Sequence, residues 1–445
     1  MKRRFVYGFV GLILGLNLFV GAQIYLYSAK ASDKNDPYTN YRLLSEVLEK
    51  VRQEYVDGDK VTYEELIHGA LKGMLGTLDP HSEFMDVKKY KELKDDTQGE
   101  FGGVGIVISM SKDKYLTVVA PMEDTPGFKA GILSGDRITK IDGKSTEKMT
   151  LEDAVKRLRG EPDTAVTLEV YRPSSPTKEG QIKDFKLTRA IIKVDTVKDV
   201  NGKREFPISD NHIGYVRLTQ FGEQTSSDLE KALKKLESQG MQALVLDLRG
   251  NPGGLLDQAG QVCEKFVPRG QLIVSTEGRG SMQRSEYRAH GDHRHPQFPI
   301  AVLINGGSAS ASEIVAGCLQ DLQNLTHAIV IGEQSFGKGS VQSILPLPDG
   351  SALRLTTAKY YTPSHKVIHE HGITPDILVP MSDEDERDIS FKRSPGGLET
   401  LDEKERDRIK SIHDVQLERA SDVLKGVLLY SQRNGVKPEK VASKN

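Results

Sequence analysis

Cysteine is scarce in this sequence of 445 residues. Only Cys263 and Cys318 are present, which excludes a disulfide-rich scaffold and leaves no CxxC pair to hold a structural zinc. One disulfide between the two cysteines stays open. Both occur in apolar stretches with helical spacing, where a small buried side chain is a commoner role than redox chemistry.

A net charge of one sign is also lacking. The 61 Lys+Arg and 63 Asp+Glu residues leave a formal charge of −2 at pH 7, so no overall basic field would attract nucleic acid. With 37% hydrophobic and 28% charged residues, the composition is typical of a folded protein of roughly two to four domains. Disorder, collagen and coiled coil are therefore excluded for most of the chain.

The N-terminus has the pattern of an export signal. Lys2, Arg3 and Arg4 precede an uncharged run over residues 5–27, which fits a signal peptide or a membrane anchor. Ala29-Lys30-Ala31 has the small-x-small pattern of a cleavage site, yet the run is also long enough to span a bilayer. Both alternatives stay open for residues 1–31, and a retained anchor would contact the membrane through residues 5–27. No cysteine follows the run, so lipid attachment there is excluded.

The rest of the chain is therefore predicted to lie outside the cytoplasm, in the periplasm or at the outer face of the inner membrane. Residues 37–97 are predicted to be helical, because apolar residues recur at three- and four-residue steps in Tyr41–Tyr55 and Glu64–Leu78. This spacing predicts a helical hairpin. Asp79-Pro80 then ends the second helix, since proline disfavours helix for the residue before it.

Residues 98–190 change to short β-rich runs, and two of their segments resemble a PDZ domain. The first is the glycine loop Phe101–Ile106, and the second is Ala130–Ile138, followed by Ile141-Asp142-Gly143. A PDZ domain adds a peptide as a strand to a sheet edge, while loop N–H groups bind its terminal carboxylate. A plain β-turn is the alternative for such a glycine loop. The candidate peptide-binding residues are Gly103, Val104, Gly105 and Ile106.

Residues 191–380 alternate strand-like and helical apolar runs, which predicts an α/β layer around a largely parallel sheet. Residues 381–445 are charged, with an amphipathic tract at Val415–Leu429. We interpret them as an exposed tail with one or two helices and no visible chemistry.

The segment Ile304–Ile314 runs from an apolar strand through two glycines into serines that begin a helix. A serine at such a junction projects from a tight turn, beside free helix N–H groups that can stabilise an oxyanion. However, Ser310 and Glu313 also fit a helix capping box, which is by itself the commoner arrangement. The residues alone do not choose among Ser308, Ser310 and Ser312.

The segment Gly332–Gln342 nearly matches a nucleotide-binding loop, but Gly339 stands where a Ser or Thr must bind magnesium. The residues that follow predict a strand rather than the required helix. Lys338 between glycines has another use: when buried, its neutral amine can take a proton from a serine. Gln342 lies four residues later and could orient that amine. An exposed structural lysine is the alternative.

A third segment, Ala243–Gly254, is an apolar strand that enters a glycine turn. N–H groups in such a turn can donate to a developing oxyanion. A tight strand-to-helix connection explains the same pattern, so this signal is weak alone.

These motifs together resemble the carboxyl-terminal processing peptidases, or tail-specific proteases, which are PDZ-containing serine endopeptidases of cell envelopes and chloroplast lumens. The resemblance covers roughly residues 40–380. It implies a PDZ domain attached to an α/β core of the Clp protease and crotonase architecture, with no metal or cofactor. The motifs that carry it, in order, are 78–82, the PDZ-like stretch, 247–254, 308–313, and 337–339 with Gln342.

Transferred residue by residue, the resemblance implies that Ser310 is the nucleophile, Lys338 the general base and Gln342 a supporting residue. It implies oxyanion donors at the N–H of Ala311 and at a glycine of the 253–254 pair, of which we favour Gly253. The 28-residue separation of serine and lysine is longer than expected for the family and places extra residues in a loop near 322–327.

Histidines offer a competing site. His369 or His371 could act as base with Asp376 behind it, in a Ser-His-Asp arrangement that the sequence does not exclude. The hypothesis that Lys338 is the base also explains the glycines on either side of Lys338, which the histidine arrangement does not. The cluster of His290, His293 and His295 follows no established zinc spacing, so we expect a solvated loop.

The sequence thus predicts an α/β protein with an N-terminal helical segment, a PDZ-like domain, a protease core and a helical tail. We expect an endopeptidase that cleaves protein substrates near their C-termini, whose PDZ domain binds the C-terminal segment and gates the site. A homo-oligomer through the N-terminal helices is a further expectation. The alternatives are a non-catalytic PDZ adaptor and a nucleotide-dependent enzyme.

Overall fold

The structure is a computed structural model. It describes residues 37–110, 114–122, 125–133, 135–173, 180–280, 284–291, 295, 298–393, 398, 401 and 403–433. The predicted export signal, residues 1–31, lies outside the described residues. Among the helices of these ranges, none is both long and apolar enough to span a bilayer.

Of the described residues, those from 37 to 84 form one compact unit, and those from Met85 onward form a second. The two predicted helices of the first unit are present as α1 (Pro37–Glu54) and α2 (Tyr63–Gly76), with a short 3-10 helix at Gly58–Lys60 between them. Thr62 begins α2 in a capping box with Glu65. Apolar residues of α1 remain exposed, namely Tyr38, Tyr41, Leu43, Leu44 and Val47. A short strand, β1 (Glu83–Met85), follows.

The β-rich region is built as a small sheet with its own hydrophobic core. Its strands run in the order β3-β4-β5-β7-β8, with β6 beside β5, and a separate ribbon pairs β2 with β9. Strand β3 therefore lies at the edge of its sheet, next to helix α5. The elements are α3 (Val87–Gln98), β2 (Glu100–Gly103), β3 (Ile106–Met110), β4 (Leu116–Pro121), α4 (Pro126–Lys129), β5 (Arg137–Ile141), β6 (Lys144–Ser145), α5 (Leu151–Leu158), β7 (Ala165–Arg172), β8 (Gln181–Thr188) and β9 (Ala190–Lys193).

The predicted α/β layer is confirmed in the next region. Its sheet has the order β10-β11-β12-β15-β16-β19, and all neighbours are parallel except β10 with β11. Strands β12 and β15 are buried at every position, as expected for a sheet covered on both faces. The elements are β10 (Val197–Lys198), β11 (Ile213–Leu218), α6 (Thr225–Ser238), β12 (Ala243–Asp247), α7 (Leu256–Glu264), β15 (Ile300–Ile304), α8 (Ala311–Asp321), α9 (Gln323–Thr326), β16 (Ala328–Gly332) and β19 (Ile377–Leu378).

Helices α6, α7 and α8 cover one face of this sheet and enclose the largest core cluster. Cys263 on α7 and Cys318 on α8 are both free and fully buried there. Their predicted role as small core residues is confirmed, and they form no disulfide. An antiparallel sheet lies beside this layer and includes β13 (Leu272–Gly278), β14 (Arg284–Arg288), β17 (Ser340–Pro346) and β18 (Ala352–Tyr361).

The expectation of an exposed C-terminal tail is wrong. The tail forms α10 (Asp383–Lys392), α11 (Glu403–Ser411) and α12 (Val415–Arg433). Helix α12 packs on the second face of the parallel sheet and buries Ala420 and Leu424 against β12, β15 and β16. The charged residues of the tail hide this apolar stripe in its overall composition. In the structure, the tail completes the core.

His295 is a buried side chain in a loop of the core, between two glutamates. Its Nδ1 lies 2.6 Å from Glu237 Oε1 and its Nε2 lies 3.0 Å from Glu230 Oε2, while Lys265 also bonds Glu230. Burial opposes protonation, but the two carboxylates outweigh it and raise the pKa of His295. The imidazolium therefore stabilises the fold.

We predict that His295→Gln destabilises the protein in a pH-dependent way. Because folding raises this pKa, the stabilisation is complete below the unfolded value of about 6.5 and disappears as pH rises through the folded value. Melting curves should show the largest loss near pH 5.5 and a smaller one at pH 9. His290→Gln is the control, since that side chain is 76% exposed. A loss independent of pH would contradict the assignment.

Candidate active site

Ser310 stands at the junction that the sequence singles out, between β15 and α8. It has a positive φ of 54°, which is unusual for a residue with a Cβ and indicates a strained turn. Its N–H donates to Glu313 Oε2 at 2.8 Å, and its carbonyl oxygen accepts from the Glu313 N–H at 2.9 Å. These local bonds hold the turn that projects the serine from the helix N-terminus.

The three serines of this segment have different surroundings. Ser308 donates its hydroxyl to the Leu248 carbonyl oxygen at 2.8 Å, and Ser312 donates to the Asn251 carbonyl oxygen at 2.9 Å. Both are completely buried, whereas Ser310 is partly exposed. Ser308 and Ser312 therefore tie α8 to the neighbouring turn, and Ser310 alone of the three is accessible to a substrate.

Tyr360 is a site residue that sequence reasoning missed. Tyr360 is buried near the end of β18, and its phenol is close enough to the Ser310 side chain to interact with it. Burial raises the pKa of Tyr360 to about 12, although the interaction with Ser310 lowers it. The phenol is thus neutral near neutral pH and can orient the serine hydroxyl. The signal available was only an apolar strand, which gave no reason to select this tyrosine.

Lys338 lies on the loop between β16 and β17, and this loop runs into a strand as predicted. The flanking glycines are required by close packing and backbone conformation. A side chain at Gly339 would place its Cβ 2.1 Å from the backbone nitrogen of His369, and Gly337 has a φ of 90°. Half-burial, and then the positive charge of Arg354, lower the pKa of Lys338. The neutral amine that proton transfer needs is therefore easier to form.

Glu313 joins the serine and the lysine. Its buried carboxylate accepts the Ser310 N–H and the Lys338 N–H on one oxygen, at 2.8 and 2.9 Å. The two backbone nitrogens are thus no farther apart than the sum of those distances. The other oxygen accepts from the Ser335 hydroxyl at 2.6 Å and the Gly337 N–H at 2.7 Å. Sequence reasoning treated Glu313 only as a possible helix cap.

The carboxylate of Glu313 is completely shielded from solvent. Burial raises its pKa, and the four hydrogen bonds oppose that rise because they favour the charged form. The acid is thus held by donors from both loops, and the geometry of each loop depends on it.

Gln342 lies on β17 and has other partners than the predicted one. Its Nε2 donates to Ser340 Oγ and to Thr356 Oγ1, both at 3.1 Å, and its Oε1 accepts from Thr356 Oγ1 at 3.2 Å. Within the described part of the chain, these bonds connect β17 to β18, and none joins Gln342 to the Lys338 amine. Its predicted role stays a prediction.

The proposed oxyanion donors meet at one point. A Cβ on Gly253 would lie 2.8 Å from Ser310 Cβ and 2.9 Å from the Ala311 nitrogen, so only glycine fits. The Ala311 N–H, in the first turn of α8, donates to no acceptor in the ranges that the structure describes. The Gly253 N–H instead donates to Asn251 Oδ1 at 2.9 Å. Gly253 thus lies where expected, but its N–H is already engaged.

Asn251 fixes this glycine turn to the serine loop. Its carbonyl oxygen accepts from the Ala309 N–H at 3.0 Å, and its Nδ2 donates to the Leu218 carbonyl oxygen at 2.8 Å. A buried asparagine with several backbone bonds is a common way to hold an irregular turn. The turn is therefore built before a substrate arrives.

The competing histidine arrangement lacks its acid. Asp376 accepts from the Val330 N–H and from Gln320 Nε2, both at 2.8 Å, and within the described residues no bond joins it to His369 or His371. His290 pairs with Glu264 and His295 with two glutamates, while His293 lies outside the described residues. No cluster able to hold a metal ion occurs in the described part of the chain.

Comparison with known proteins identifies the family of this chain. The model of peptidase family S41 matches residues 212–379, and a PDZ domain model matches residues 117–172. The chain is 46% identical over 389 residues to the carboxy-terminal-processing protease of Bartonella bacilliformis, covering 85% of this chain and 83% of that protein. It is 34% identical over 390 residues to the carboxyl-terminal-processing protease of Synechocystis sp., covering 87% and 83%.

Among solved structures, the photosystem II D1 C-terminal processing protease is similar, with a TM-score of 0.44 and 30% identity over 76% of this chain and 92% of that one. The extent and identity of the sequence matches decide the family. This chain belongs to peptidase family S41, among the carboxy-terminal-processing proteases, and is a serine-type peptidase.

Proposed function

We propose that this protease cleaves its protein substrates with a dyad of Ser310 and Lys338. The observation that carries the proposal is the shared carboxylate of Glu313, which accepts backbone N–H groups of both residues on the same oxygen. A serine that is accessible and a lysine whose pKa is lowered are thereby held on adjoining loops. A Ser-Lys mechanism requires the hydroxyl and the amine to lie within hydrogen-bonding reach of each other, and the shared carboxylate supports that proximity.

In this mechanism the Ser310 hydroxyl attacks the amide carbon while the neutral Lys338 amine accepts its proton. The same amine then returns the proton to the leaving nitrogen, and water hydrolyses the acyl-enzyme in a second cycle. Gln342 would support the lysine through the strand contacts that hold β17. No metal or cofactor takes part in any of these steps.

The Ala311 N–H would stabilise the oxyanion, because it lies just after the nucleophile and has no acceptor among the described residues. Gly253 would supply the second N–H once it leaves Asn251. Removing one such donor typically costs about 3–4 kcal/mol of transition-state stabilisation. Breaking the hydrogen bond between the Gly253 N–H and Asn251 Oδ1 is therefore a step that would convert a resting site into an active one.

The PDZ domain would bind the C-terminal segment of the substrate along β3. Two features support this: β3 is an edge strand, and the loop before it keeps its N–H groups for a ligand. The carbonyl oxygens of Val104 and Gly105 accept from Gly127 and Met122 at 2.8 and 2.9 Å, while the N–H groups of these two loop residues donate to no acceptor in the described chain. Such a loop suits a terminal carboxylate, with Gly103 and Ile106 on either side.

A route for gating connects the PDZ side of the molecule to the glycine turn. The end of α3 meets the core through two bonds: Gln220 Nε2 donates to the Asp96 carbonyl oxygen at 3.0 Å, and the Glu223 N–H donates to the Thr97 carbonyl oxygen at 3.0 Å. Between them, the Phe221 N–H donates to the Gly253 carbonyl oxygen at 2.9 Å. Movement of α3 on peptide binding would therefore reach the Gly253 peptide.

Export and assembly are further parts of the proposal. The basic start and uncharged run of residues 5–27 support secretion to the periplasm or anchoring at the outer face of the inner membrane. The exposed apolar residues of α1 would pair with a second copy of the chain, giving a homo-oligomer through the N-terminal helices.

We predict that Ser310→Ala and Lys338→Met each lower kcat/KM on an unstructured polypeptide by a factor of at least about 10,000. In the wild type, kcat/KM should rise with pH as Lys338 loses its proton, with a midpoint below the ordinary lysine value of about 10.4. The measurement is a peptidase assay with mass spectrometry of the products.

Ser238→Ala and Lys235→Met, both at exposed positions of α6, serve as matched controls and should keep wild-type rates. A chelator in the absence of nucleotide should leave the activity unchanged. Full activity in Lys338→Met would refute the dyad.

We also predict that the substrate's terminal carboxylate controls the rate. Amidation of that carboxylate should lower kcat/KM by about tenfold or more, because the loop loses a charged acceptor. A short C-terminal peptide added in trans should accelerate cleavage of a small fluorogenic peptide that cannot reach the PDZ domain. Equal rates for the acid and the amide, together with no effect of the added peptide, would show that the domain neither recognises the carboxylate nor gates the site.

A further inference from the structure

A cavity lies at the carboxyl ends of β11, β12 and β15, where open α/β sheets commonly bind ligands. Its volume is about 220 Å³. Ser310 and Lys338 do not line it. The lining residues are Arg217, Arg249, Gly250, Asn305, Met381, Glu386, Ile389 and Arg393.

Arg217 is the cation in this cavity with unused hydrogen-bond donors. Its Nε is buried and has no partner, and its Nη2 makes only a long bond of 3.4 Å to the Arg249 carbonyl oxygen. Asp247 lies opposite in register on β12. However, its oxygens already accept from Arg249, Arg393 and Tyr215.

The carboxylates in and beside the cavity are also engaged: Glu386 lines it, and Asp414 bonds the lining residues Arg249 and Arg393. Asp414 accepts from Arg249 at 2.9 Å and from Arg393 at 2.6 Å, and Glu386 accepts from Asn305 Nδ2 at 2.8 Å. The acidic groups are therefore used to hold the turn and the C-terminal helices. Within the described chain, Arg217 makes no hydrogen bond or ion pair with a carboxylate, although its positive charge helps to lower the pKa of Asp247.

Lys198 increases the positive charge beside Arg217. The two residues face each other in register on β10 and β11. Partial burial, followed by the like charge of Arg217, lowers the pKa of Lys198, and its amine has no hydrogen-bond partner within the described residues. Lys198 does not line the cavity, but two adjacent half-buried cations repel each other, and an anion bound to Arg217 would relieve that repulsion.

The remaining walls limit the kind of anion. Met381 and Ile389 contribute apolar surface to the cavity wall. A guanidinium binds a carboxylate through two parallel hydrogen bonds, and an aliphatic chain gains by leaving water for an apolar wall. The volume is small for a drug-sized ligand or nucleotide.

We propose that this cavity binds a small aliphatic carboxylate, whose charged group is held by Arg217 and whose chain packs on Met381 and Ile389. A peptide C-terminal residue and a free short-chain acid share this chemistry. The site does not depend on the proposed Ser-Lys mechanism, because the mechanism uses none of its lining residues.

The test is calorimetric titration of the full chain with two probes, N-acetyl-leucine for a peptide end and 4-methylpentanoate for a free acid. At least one should bind with a Kd below about 1 mM. Its uncharged amide should bind at least about tenfold more weakly, since hydrogen bonds to a charged group contribute about 1.5–3 kcal/mol. The probe that binds identifies the source.

Arg217→Gln should weaken binding by about ten- to hundredfold, and Arg284→Gln, whose side chain is 55% exposed, should not. Met381→Glu provides a second variant, because its own carboxylate would occupy the cavity beside Arg217. It should abolish binding while leaving the melting temperature unchanged or raised.

Failure of both probes to bind would overturn the proposal, as would equal affinity for acid and amide or unchanged affinity in Arg217→Gln and Met381→Glu. The titration is repeated in Ser310→Ala. Binding that survives there, together with the Arg217 dependence, distinguishes this site from the active site and from the PDZ loop.

Discussion

The buried carboxylate of Glu313 holds the candidate active site together. Its four hydrogen bonds join the serine turn at the start of α8 to the lysine loop after β16, two segments that are otherwise separate in the chain. Burying a carboxylate is unfavourable unless hydrogen-bond donors of the protein replace the water molecules that it loses. Here every donor belongs to one of the two loops, so the acid and the loop geometry depend on each other.

A second polar network fixes the glycine turn from the other side. Arg249 bonds Asp247 on β12 and Asp414 at the start of α12, so the C-terminal helices are tied to the strand that precedes the turn. The surrounding arginines hold the pKa of Asp247 well below its usual range despite complete burial. Removing one member of such a network typically costs about 3–5 kcal/mol. The tail is therefore structurally required near the site.

These two networks show which features of the structure can be predicted from the sequence. The alternation of strand-like and helical apolar runs predicts the parallel sheet. This works because the spacing of the apolar residues and the length of each run can be read from neighbouring residues in the sequence. Likewise, the glycines beside Lys338 predict that another part of the chain approaches closely. In the structure this part is the backbone of His369. Ser310 can be selected from the three serines only when the hydrogen-bond partners of the other two are known. Those partners are the carbonyl oxygens of Leu248 and Asn251, which are distant in sequence.

The errors have the same physical origin. The tail looks exposed because charge dominates its composition, yet α12 has a narrow apolar stripe that only the sheet reveals. Glu313 looks like a helix cap because its local bond to Ser310 is a capping bond. Its contacts with Ser335, Gly337 and Lys338 are tertiary. Similarly, glycine spacing locates the turn at Gly253, whereas the acceptor of its N–H depends on how Asn251 folds back.

The most direct test of the central claim is the peptidase activity of Glu313→Gln, compared with Glu205→Gln at a side chain that is 69% exposed. The amide keeps the shape of the acid but replaces one acceptor oxygen with a donor that opposes two N–H or O–H groups. We expect kcat/KM to fall by at least about a hundredfold, since each bond to the charged acid contributes about 1.5–3 kcal/mol. A variant with wild-type activity and melting temperature would contradict the account.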